Sequence, residues 1–154
     1  MKNKGFLEGK IMTTTMINEI DAQSEPVNVP QPLWVMEFDR QGLIQWDKSA
    51  FATRLHEPKN FLGREGLEIL KVQGVRPLNG NVALWLNKNQ EQIPNEWMKY
   101  RILFMGIVLG IAFGGQMEHN WLCPELEYRY GLWRLDLFNF SANKLLPNQR
   151  IVFL

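Results

Sequence analysis

Residues 122–138, LCPELEYRYGLWRLDLF, alternate apolar and polar side chains on both sides of a Tyr130-Gly131 pair. A period of two marks a strand with one buried face, and two such runs joined by a short turn mark a β-hairpin. With Tyr130 and Gly131 as a two-residue turn, Tyr128 stands opposite Trp133 and Leu126 opposite Leu135, while Glu127 meets Arg134 on the other side. The first set predicts a core face and the second a wet face. The chain is thereby committed to an antiparallel sheet that needs something apolar laid against it.

The best candidate for that cover is a helix over residues 80–92. Val82, Trp85, Leu86 and Ile93 fall on one stripe, while Asn87, Lys88, Gln90 and Glu91 cover the opposite side. Asn79 or Asn81 can cap its start and Pro94 ends it. A weaker helical pattern runs over residues 61–72, and a short helix over 49–55 stops before Pro58. Upstream, LWVMEF, the turn-forming DRQG and LIQW read as a second hairpin, with Gly42 in the turn. Residues 1–32, rich in Thr, Asn, Gln and Glu and closed by Pro26, Pro30 and Pro32, read as a flexible polar tail. Met12 and Met16 are candidate internal starts. The expected body is one α+β domain over residues 33–154: an antiparallel meander with Leu126, Tyr128, Trp133, Leu135 and Leu137 packed on the helix stripe, Trp85 at its centre.

Sixteen uncharged residues, ILFMGIVLGIAFGGQM, lie between Arg101 and Glu118, with Gly106, Gly110 and Gly114 spaced by four. That glycine spacing lets membrane helices pack closely. A bilayer core needs about 20 apolar residues, however, and β-branched residues at 102, 107, 108 and 111 favour a strand. The run therefore reads as a buried strand ending in a Gly114-Gly115 turn, its glycines marking bulges or a close approach of another backbone. The closing IVFL reads as a last strand tucked into the sheet or as a clipped end.

Composition narrows function mainly by exclusion. The 17 basic and 16 acidic residues nearly cancel, leaving no basic footprint for nucleic acid or an anionic membrane. The single cysteine, Cys123, rules out an internal disulfide and fits a reducing, cytoplasmic setting, and residues 1–20 hold no apolar core of a secretory signal. His119 and Cys123 sit four apart with no further ligand near them, so no metal is expected, and no cofactor motif is present. Glu37, Asp39 and Asp47 sit around the first hairpin as candidates for paired acid-base chemistry, and Glu37 and Asp39 would need to converge with His56 in one cleft. Trp121 and Tyr130 escape the buried face of the hairpin, and with Arg129 and Arg134 they form the candidate binding set, rings beside cations.

Two resemblances accompany these patterns. Residues 74–133, with GVRPLNGN, LWLNKNQEQIPNEW and YRYGLWRL, resemble a small module of uncharacterised bacterial proteins. That likeness implies no activity and transfers no site residue. FDRQGLIQWDKSAF, followed by short helices and three long strands, is similar in element order to PAS-like sensor domains, which implies a small ligand between helices and sheet or dimerisation. Fold order does not establish function. The expected role is a non-enzymatic binding or interaction module with a protein partner or a second copy. The alternatives are a PAS-like small-molecule sensor and a hydrolase-type enzyme built on the acids of the first hairpin. A cavity of a few hundred cubic ångströms between helix and sheet favours the sensor; an exposed aromatic patch favours the interaction module.

Overall fold

The computed structural model describes residues 18–26, 29–59, 63–111, 120–141 and 144–154. The polar leader, the Gly114-Gly115 turn and His119 fall wholly or partly outside these. Among the described residues nine strands and three α-helices follow in chain order: β1 (Glu19–Asp21), β2 (Leu33–Phe38), β3 (Leu43–Gln45), α1 (Lys48–Phe51), β4 (Leu55–His56), α2 (Gly63–Val72), α3 (Gly80–Lys88), β5 (Arg101–Leu103), β6 (Ile107–Ile111), β7 (Trp121–Arg129), β8 (Leu132–Asn139) and β9 (Gln149–Val152). Two 3₁₀ turns, Gln90–Gln92 and Asn95–Lys99, lead from α3 into β5. The class is α+β.

The hairpin of β7 and β8 forms in the expected register, pairing Leu126 with Leu135, Glu127 with Arg134 and Tyr128 with Trp133. Tyr130 and Gly131 both have positive φ, +52° and +80°, the backbone of a type I′ turn whose twist matches the strands. Trp133 is 7 % exposed and meets Tyr128 edge-on at 5.4 Å. Helix α3 covers that face: Val82 and Leu86 share one core with Leu126 and Trp133, and Trp85, Tyr128 and Leu135 pack at its margin. Asn79 caps the helix by accepting from the Asn81 N–H, and the helix ends at Lys88, before the expected 92.

The wet face of the hairpin holds only near the turn. Further along β7, Cys123 and Glu125 point to the opposite face and are buried, because α2 lays Leu67 and Leu70 there beside Leu103, Val108 and Ile151. The sheet is thus covered on both sides, by α3 on one and α2 on the other.

Four expectations are corrected. First, β2 and β3 do not pair with each other. β2 runs antiparallel to β6, and β3 to β1. A buried polar hub opens the corner between them: the Asn79 side chain donates to the carbonyls of Ala22 (2.8 Å) and Asp39 (2.9 Å), and Gln41 donates to Pro77 O (2.6 Å) while accepting from Asn79 N (3.1 Å). Second, the polar leader does not extend to residue 32, since Ile20, 2 % exposed, and Ala22 join the α3 core from β1. Third, the apolar run is not one straight strand. From Leu103 to Leu109 it advances six residues while β7 advances three, Glu125 to Leu122. Gly106 makes this excursion possible: a Cβ there would lie 2.5 Å from Pro77 O and 2.7 Å from Asn79 N, and its N–H donates to Leu78 O. Pro124, which has no N–H to offer, sits on β7 in the gap between its pairings with β5 and β6. Fourth, β9 is tucked in parallel to β5, which makes the sheet mixed rather than wholly antiparallel. At the sheet's far flank Trp34 lies over Gly110, where a Cβ would meet its ring at 2.4 Å.

Candidate functional site

Glu37 and Asp39 do come together. They border a cleft of about 340 Å³ between the end of β2 and α2, floored by Phe38, Leu67, Val75 and Met105. Each acid is already engaged. Glu37 bridges Arg64 at 3.5 Å and Lys71 at 3.4 Å across to α2. Arg76 grips both oxygens of Asp39, Nε to Oδ2 at 2.7 Å and Nη2 to Oδ1 at 3.0 Å. That guanidinium holds the Asp39 carboxyl below its usual range against the opposing effect of burial, with help from Gln41. Burial lowers Lys71, yet its hydrogen bond to Glu68 and the charges of Glu37 and Glu68 outweigh this and keep its ammonium above the ordinary value. A carboxylate locked in its ionised form by a bidentate arginine has no proton to give at neutral pH. These pairs tie α2 to β2.

His56 is elsewhere. It lines a separate hollow of about 250 Å³ with Glu57, Lys59, Ile69 and Gln73, so Glu37, Asp39 and His56 are not assembled in one cleft. Among the described residues no group of three His, Cys, Asp or Glu could hold a metal ion. Cys123 is fully buried, and burial, then the charge of Glu125, pushes its thiol well up, away from the thiolate that nucleophilic chemistry needs.

The candidate binding set is dispersed. Trp121 opens β7 and Tyr130 lies in the turn beyond its other end, separated by about 30 Å at the rise of a strand. The Arg64 guanidinium sits 4.9 Å over the Trp121 ring, whose edge meets Phe140. Tyr130 is 91 % exposed on the turn; Arg129 bridges Glu127 at 3.4 Å, and Arg134 is exposed beyond it. They make no common aromatic surface.

Sequence reasoning did not find a third cavity, larger than these two. It is an apolar groove of about 500 Å³ on the α3 face of the sheet, where Leu84 of α3 and, from the chain before β2, Pro26, Val29 and Pro30 border Ile107, Leu109, Leu135 and Leu137. Among the described residues that line it, Asp136 is the one charged residue. Gly80 brings the start of α3 close to the sheet, a Cβ there meeting Ile107 at 3.0 Å, and beyond it Leu84 is left 48 % exposed. A signal existed: α3 carries five apolar residues in succession, 82–86, more than one buried stripe uses. A second omission is buried polarity. Glu125, 3 % exposed, receives Arg101 at 2.7 Å and Gln149 at 2.8 Å, a network that ties β7, β5 and β9 together beneath α2.

No protein-family model, curated protein or solved structure matches the chain. No helix among the described residues is long and apolar enough to cross a membrane.

Proposed function

We propose that this chain is a non-enzymatic binding module that takes a compact apolar small molecule in the groove between α3 and the sheet. The groove carries this reading. Its volume, about 500 Å³, lies within the span of about 300–1,000 Å³ typical of small-molecule sites, and its lining is almost wholly aliphatic. Small-molecule binding rests here on that cavity and not on the element order shared with PAS-like domains. The acids that an enzyme would need are consumed in ion pairs, and His56 is remote from them.

The test uses 1-anilinonaphthalene-8-sulfonate as an apolar probe, beside native mass spectrometry of the freshly purified full chain. Saturable one-site binding of the dye is expected, weakened about tenfold or more by Leu84→Asp, which places a charge on the groove wall at a half-exposed position. Circular dichroism checks that the variant folds. A dye that fails to saturate, or binds the variant and the wild type alike, would overturn the reading.

A further inference from the structure

Among the described residues strand β8 is paired only with β7, and none of them forms a strand along its other edge. Gln90 reveals which groups face outward. Its side chain donates to Trp133 O at 3.1 Å and accepts from Trp133 N at 3.3 Å, so Trp133 points its backbone away from β7. By the antiparallel alternation Leu135 and Leu137 do the same. Gln90 bonds Trp133 alone on this edge, and Leu135 and Leu137 also line the apolar groove. An eight-residue edge of this kind is a template for another strand.

Charge identifies the partner. Asp136 stands opposite Glu125 on β7, a like-charge pair, and Glu125 is already spent on Arg101 and Gln149. Among the described residues neither Asp136 nor Arg134 makes an ion pair, and both are exposed on the same face of β8. We infer that β8 pairs antiparallel with β8 of a second copy of this chain, about a two-fold axis through Leu135.

The register follows from the same charges. Because the outward groups belong to odd-numbered residues, each allowed two-fold centre sets odd against odd. Centred on Arg134, two arginines face each other; centred on Asp136, two aspartates do. Centred on Leu137, Asp136 faces Phe138. Only the Leu135 centre sets Arg134 of each copy against Asp136 of the other, twice, with Trp133 against Leu137 on the groove face. In this arrangement the backbone of Leu137 from the second copy takes the groups of Trp133 that Gln90 holds in the single chain, so Gln90 is a competitor for the edge. A strand-to-strand contact of this length buries less than a standard interface, so association is weak and concentration-dependent. The inference does not depend on the groove holding a ligand.

Sedimentation of the full chain over a concentration series, with disulfide trapping, tests it. Leu135→Cys is expected to cross-link to itself under oxidation, since directly opposed residues of a hydrogen-bonded pair lie about 5.5 Å apart at Cα, inside the disulfide range. Leu137→Cys is not, because its two copies would lie about 13 Å apart along the strands. Arg134→Asp or Asp136→Arg alone should weaken association about tenfold, and the two together should restore it. Gln90→Ala should tighten it several-fold. A monomer at the highest soluble concentration would overturn the inference, as would cross-linking of Leu137→Cys as efficient as that of Leu135→Cys, or a charge reversal without effect. Leu84→Asp separates the two proposals, since it is expected to weaken dye binding in the groove but to leave this register intact.

Discussion

At the scale of residues, the six tryptophans are not equivalent, and burial separates them. Sequence periodicity places Trp85 at the centre of the helix stripe, yet its ring lies at the margin of the core, tilted against Trp46 at 6.4 Å. Trp97, from the 3₁₀ turn after α3, is the fully buried one: it meets Trp46 edge-on at 6.1 Å and donates its indole N–H to Ala52 O at 3.2 Å. Trp97→Ala is therefore expected to cost about 3 to 5 kcal/mol, the range for deleting a buried aromatic, with Trp85→Ala clearly below it. Denaturant midpoints of the two variants decide the order, and equal losses would show that the margin of the core is as tightly packed as its centre. Trp97 escapes sequence reading because NEWMK has no helical or strand period to say which side is inside.

Among elements, the β7–β8 hairpin is legible in detail and the first hairpin is not. The difference lies in where the information sits. Tyr130-Gly131 and the alternation around it define a turn and a register within the span of the hairpin itself. LWVMEF-DRQG-LIQW carries similar signs, but its corner is opened by Asn79 and Gln41, and Asn79 lies some forty residues downstream of Asp39. The turn of the β7–β8 hairpin gives the prediction proper to this scale. Tyr130 holds a positive φ of +52°, a region in which asparagine is several-fold enriched and a bulky ring is an outlier. Because its side chain is exposed, Tyr130→Asn is expected to raise stability by about 0.5 to 1 kcal/mol through relief of that backbone strain. A thermal or denaturant midpoint that falls instead would mean the ring makes contacts worth more than the strain.

For the whole molecule, the decisive feature is that the sheet is covered on both faces, and Cys123 reports on it. Its sulfur lies beneath α2, wholly buried and held as the thiol. Reaction with a thiol reagent such as 5,5′-dithiobis(2-nitrobenzoate) at pH 8 should therefore be slow and should follow opening of the α2 core, accelerating with denaturant in step with global unfolding. Rapid labelling in native buffer would show that α2 lifts from the sheet on its own. The same two-sided cover explains why site and fold differ in legibility. The sequence by itself determined the α+β class, the β7–β8 register and the capped start of α3, because each is written in periodicity, turn chemistry or a cap within a dozen neighbouring residues. It also placed Glu37 and Asp39 near each other. Only the tertiary structure decided that β2 pairs with β6, that the apolar run breaks at Gly106, that Arg76 and Lys71 neutralise those acids, and that Leu84 lines a groove with Pro26, Val29 and Pro30. A period of two tells a strand which face is buried. It carries no information about which distant strand will supply the hydrogen bonds, or which helix will do the covering; those choices are made by contacts between residues far apart in the chain.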